Sequence, residues 1–65
     1  MEMEKVYRVE CNHGSKYFKS GVDAFHYYKA MCQQEPHMSV ELWLVIKVRS
    51  IKLYSVTQEL IAYSH

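Results

Sequence analysis

Two cysteines and two histidines lie close enough along the chain to suggest ligand or catalytic chemistry, as Cys11-x-His13 and Cys32-x-x-x-x-His37. Two thiolates and two imidazoles are the donor types of a tetrahedral zinc site. Zinc modules, however, present each pair from a turn at short fixed spacing. Here Cys11 falls at the inward position of a strand pattern and Cys32 on the apolar stripe of a helical one. The expected reading is two small buried hydrophobes and no bound metal, with Cys11, His13, Cys32 and His37 as the only candidate ligands. A Cys and His pair could also supply a nucleophile and its base, which requires an exposed, activated thiolate in a cleft. His26 lies opposite Cys32 on the helical wheel, and there is no Ser, His, Asp order or glycine-rich phosphate loop. The chain therefore reads as non-enzymatic, without a cofactor.

The second chemistry on offer is that of surfaces. Six tyrosines, one tryptophan and two phenylalanines are a high aromatic load for 65 residues, and Tyr and Trp supply large contact area at interface hot spots with few rotatable bonds. Tyr28 belongs to the core pattern, whereas Tyr27, Trp43 and Tyr63 are candidates for a partner surface. Lys47 and Arg49 share a strand face with Trp43 and Glu41. Together with Lys16, Lys19 and Lys52 they could track a single nucleic-acid strand by phosphate contact and stacking. Eight Lys and Arg against seven Asp and Glu give a net charge of only +1, which argues against a partner whose phosphates must be neutralised.

These residues must be positioned by a small scaffold. A chain of 65 residues is one domain, and it buries only about 60% of the surface its unfolded state exposes. With 49% hydrophobic residues, two glycines and one proline, the composition is that of a folded domain rather than a disordered chain. The charged start, Met1 to Lys5, does not resemble a secretory signal. The longest apolar run, Leu42 to Ile46, is far short of the ~20 residues of a membrane-spanning helix. A cytoplasmic protein is expected, with its thiols reduced.

Period-two alternation places Tyr7, Val9 and Cys11 on one face of a strand from Lys5 to Cys11. Asn12, His13 and Gly14 then form a hairpin signal, with Gly14 free to take positive φ, and Ser15 to Phe18 returns as a short strand. Ser20, three residues before Asp23, is a helix N-cap with an acid in the first turn. The following helix carries Ala24, Phe25, Tyr28, Met31 and Cys32 on one stripe and ends near Glu35, before Pro36. From Val40 to Arg49 the alternation is strict, with Val40, Leu42, Leu44, Ile46 and Val48 on one side and Glu41, Trp43, Val45, Lys47 and Arg49 on the other. Ile51 to Thr57 reads as a further strand, although Ser55-Val56-Thr57-Gln58 also reads as a capping box opening a helix towards Tyr63. The predicted fold is α+β, a β-β-α-β-β order in which one helix packs on one face of a three- or four-stranded antiparallel sheet. The other face, carrying Trp43 and Val45, is left open for a partner or a second copy.

Lys-Tyr-Phe-x-Ser (Lys16 to Ser20), Ala-x-x-Tyr-Tyr (Ala24 to Tyr28) and Val-Glu-Leu-Trp-Leu-Val (Val40 to Val45) resemble small uncharacterised proteins of bacteriophage genomes. The layout is also similar to that of phage host-takeover and anti-defence proteins, including anti-CRISPR and anti-restriction inhibitors, which dock on a host enzyme. The resemblance implies a viral protein of the host cytoplasm that binds a host defence effector, nuclease or polymerase. It transfers no functional residue, because such inhibitors use different surfaces against different targets. A nucleic-acid-binding regulator and a homodimeric interaction protein are the alternatives.

Overall fold

A computed structural model describes residues 2–64. The first two strands, β1 (Glu2–Cys11) and β2 (Gly14–Phe18), form a hairpin in register from Tyr7 opposite Phe18 to Cys11 opposite Gly14. Gly14 holds a φ of 122°, a backbone conformation that L side chains rarely adopt, so the turn after Asn12 and His13 depends on this glycine. β1 begins at Glu2, three residues earlier than its alternation predicts, because Arg49 and Val48 of β3 (Val40–Arg49) offer backbone partners to Glu2 and Met3.

The helix α1 (Gly21–Gln34) starts where its cap signal lies. Ser20 is extended, and its Oγ accepts a hydrogen bond from the Asp23 N–H at 3.3 Å while its carbonyl accepts from the Ala24 N–H at 3.1 Å. Asp23 also complements the positive end of the helix dipole. A Cβ at Gly21 would stand 3.1 Å from the Tyr7 ring, so glycine lets the first turn approach β1 closely. At the other end the Glu35 N–H still reaches the Met31 carbonyl at 3.0 Å, and Pro36 permits no continuation.

The sheet is antiparallel with the order β2-β1-β3-β4, where β4 spans Tyr54–Ser64. β3 is therefore central, and its aliphatic row faces the helix. Val9, Ala24, Tyr28, Met38, Val40 and Leu42 form the buried cluster, with Val9 and Val40 almost wholly enclosed. Cys11, Cys32, Tyr7, Phe18, Met31 and Ala62 pack around it. The helix sits on the expected face but rotated from its predicted stripe. Tyr27 turns inward against Phe18, ring centroids 5.4 Å apart, while Phe25 stays 45% exposed, stacked on Tyr28 at 6.1 Å. The wheel bounds a stripe of six or seven residues but not its centre, which is decided here by the β2 edge, where Phe18 waits for a partner.

The C-terminal segment is a strand throughout, beginning later and running further than the predicted Ile51 to Thr57. Residues 51–53 make the turn, closed by the Ser50 N–H donating to the Leu53 carbonyl at 2.7 Å. β4 then pairs with all ten residues of β3, from Arg49 opposite Tyr54 to Val40 opposite Ser64. A helix over Thr57 to Tyr63 would strip β3 of those partners. The register steps between Leu42–Ala62 and Trp43–Leu60, leaving Ile61 as the extra residue of a bulge.

A 14-residue helix is about 21 Å long, whereas the 10 residues of β3 span about 33 Å. Leu44, Ile46 and Val48 continue the aliphatic row beyond the helix and are only half-buried. The molecule measures 44 × 18 × 17 Å, and its radius of gyration of 13.3 Å exceeds the roughly 10.7 Å of a compact chain of this length.

Burial raises the pKa of the Tyr28 hydroxyl above its usual value, and the neighbouring Cys32 thiol adds to the shift. A tyrosine whose folded pKa lies above its unfolded one contributes stability that is fully present below the unfolded value of about 10 and is lost as pH rises through the folded value. This contribution is therefore expected to be lost only above about pH 10. Tyr28→Phe should move the alkaline unfolding midpoint, followed by circular dichroism, to higher pH. Ser20→Ala, which removes the cap, should cost about 1 kcal/mol in urea unfolding.

Candidate interaction face

Antiparallel partners point their side chains to the same side of a sheet, so the register defines the face opposite α1. One row across it is Tyr17, Arg8, Trp43 and Leu60. On one side of that row lie Glu10, Glu41 and Tyr63; on the other lie Val6, Val45 and Gln58, then Glu4, Lys47 and Val56, then Glu2, Arg49 and Tyr54. The helix packs on β1, β2 and β3 from the other side, and Val45 is nevertheless only 5% exposed. With no second layer above it, its cover must come from the side chains of its own face. Tyr17, Tyr54, Val56, Leu60 and Tyr63 are exposed around it.

Trp43 is held in place on an inner strand of this face. Its indole Nε1 donates to Glu41 Oε1 at 3.0 Å, and the Arg8 guanidinium lies 5.4 Å from the ring centroid. Arg8 Nε in turn stands 3.2 Å from Glu10 Oε1 as an ion pair, yet without hydrogen-bond alignment, so this buried donor keeps its hydrogen-bonding capacity unused. Glu10 and Glu41 are cross-strand neighbours, and two carboxylates directly opposite each other repel. Arg8 and the indole N–H each take one of them, which makes the four side chains a single interlocked group. At the other end Lys47 Nζ meets Glu4 Oε1 at 4.0 Å and Arg49 lies 5.7 Å over Tyr54.

The sequence-predicted residues divide accordingly. Trp43, Glu41, Lys47, Arg49 and Tyr63 share the open face. Tyr27 does not: it lies on the helix side against Phe18, with Lys16 Nζ 4.9 Å from its ring. Lys16, opposite Val9, is also on the helix side, so the basic residues are split between two faces. On the open one, Arg8, Lys47 and Arg49 alternate with Glu2, Glu4, Glu10 and Glu41, forming no basic stripe of the kind that tracks phosphates. The residue that sequence reasoning missed is Arg8. Its outward position was legible in the alternation, but its place beside Trp43 needed the β1–β3 register.

The two cysteines are free and half-buried against the core. His13 Nε2 lies 3.8 Å from Glu35 Oε1 at the surface, and His37 is exposed. Among the described residues no three His, Cys, Asp or Glu side chains gather as a metal site would require. Nor is any helix among them long and apolar enough to cross a membrane. No protein-family model, curated protein or solved structure matches the chain.

Trp43 is the sole tryptophan, so its fluorescence reports on this face alone. Arg8→Ala should uncover the indole, shifting its emission to the red and increasing acrylamide quenching, at a cost of about 1 kcal/mol in stability. Trp43→Ala should leave the far-ultraviolet circular dichroism spectrum unchanged, because the core lies on the opposite side of the sheet.

Proposed function

We propose that this chain is a non-enzymatic binding protein that docks its open sheet face on another protein and blocks it. The observation that carries the reading is Trp43, half-buried and held between Arg8 and Glu41 on an inner strand of an uncovered face. An aromatic anchor fixed before binding loses little entropy on docking, and Trp, Tyr and Arg are the residue types that dominate interface energetics. Tyr17 and Leu60 share the Trp43 row across the sheet, Tyr63 stands in the row on one side, and Tyr54 lies at the far end of the face beside Arg49.

The resemblance of Lys16 to Ser20, Ala24 to Tyr28 and Val40 to Val45 to phage proteins supports a viral origin and a target inside an infected bacterium. On this reading the target is a defence effector, nuclease or polymerase of the host cytoplasm, and inhibition comes from occlusion.

Tagged protein incubated with bacterial lysate should retain one host protein in stoichiometric amount. Trp43→Ala should weaken that complex by about 30-fold or more, the loss of roughly 2 kcal/mol that defines a hot spot. Recovery of no stoichiometric partner, with host growth and phage defence both unaffected by expression of the chain, would sink the proposal.

A further inference from the structure

The two edges of the sheet differ in a way that points to a second interface. β2 is an edge of five residues and carries Lys16, with Lys19 following it. Short edges bearing lysine resist pairing with other chains. β4 is an edge of 11 residues with no proline and no lysine or arginine. Glu59 is its only charged residue, and every residue from Tyr54 to Ile61 is exposed. Its bulge lies at Ile61, leaving Tyr54 to Leu60 as a regular run with a free row of backbone donors and acceptors. Nothing along that run blocks another strand.

We propose that β4 pairs antiparallel with β4 of a second copy of this chain about a two-fold axis, joining two four-stranded sheets into one of eight strands. The strand is self-complementary. Centred on Gln58, the pairing sets Leu60 against Val56 of the partner subunit on the open face and Glu59 against Thr57 of the partner subunit on the helix face. It opposes no like charges, and the net charge of +1 adds little repulsion between copies. The accessible surface supports this: 4878 Å² for a chain of 7.8 kDa, against about 4,400 Å² for a monomer of that mass. The excess of roughly 500 Å² is surface beyond that of a typical monomer, though less than the ~800 Å² that each partner buries in a standard interface. Isologous pairing closes the assembly at two copies, because each subunit spends its one unprotected edge. The inference does not rest on what the Trp43 face binds, and the two are tested apart.

Sedimentation equilibrium of the full chain across the micromolar range should give a weight-average mass that rises to twice 7.8 kDa. Gln58→Lys places two like charges together on the axis and should raise the dissociation constant about fivefold, the equivalent of ~1 kcal/mol for a cross-strand pair. Gln58→Glu should do the same. An equimolar mixture of the two variants should dimerise at least as tightly as the parent, and circular dichroism should show both variants folded. A parent chain that stays monomeric throughout overturns the proposal, as does a Gln58→Lys protein that dimerises like the parent, or a mixture that shows no recovery.

Discussion

The antiparallel pairing of β1 with β3 holds Val9 opposite Leu42 and Arg8 opposite Trp43, and both faces of the molecule depend on that register. A slip of one residue would exchange every inward side chain for an outward one. Val9 and Leu42 would leave the helix, and the Arg8 guanidinium would leave the indole. The register is enforced from one side only. Apolar burial of Val9, Val40 and Leu42 beneath α1 selects it, and the polar group of Glu10, Arg8, Trp43 and Glu41 is assembled on the other side as a result. The core thus places the candidate site without touching it.

What could be read in the sequence follows from how local each cause is. The Val40 to Arg49 alternation, the Ser20 cap and the Gly14 turn are determined within a few residues, and all three stand in the structure where their patterns place them. The inward turn of Tyr27 and the outward one of Phe25 depend on Phe18, which belongs to another element, β2. The end of β4 was obscured because Ser55 to Gln58 satisfies a local helix signal, while the backbone of β3 supplies partners that only a strand can use. Trp43, Glu41, Lys47 and Arg49 could be assigned to one surface from period two alone. Arg8 and Leu60, one on either side of Trp43, could be joined to it only across strands.

The uncovered surfaces have a common origin in the mismatch between a helix of about 21 Å and strands of about 33 Å. One helix cannot cover a four-stranded sheet of that length. The chain meets this on the open face by folding long side chains over Val45, and on the helix side it leaves Leu44, Ile46 and Val48 half-exposed. Among the described residues Ala62 is the hydrophobic side chain of β4 packed against the buried cluster, so most of the strand's stability comes from its ladder with β3 rather than from packing.

The bulge at Ile61 has a consequence of its own. A strand that kept strict alternation from Tyr54 to Ser64 would put either Leu60 or Ala62 on the wrong side, since the two are separated by one residue yet serve different faces. By absorbing Ile61, the chain changes phase in mid-strand. Before it, β4 presents Tyr54, Val56 and Leu60 to the open surface; after it, Ala62 is delivered to the core and Tyr63 returns to the open side. Removing that single residue would join Leu60 directly to Ala62 and let plain alternation send them to the same two faces, so the insertion lengthens β4 by one residue without exchanging the surface that either end serves.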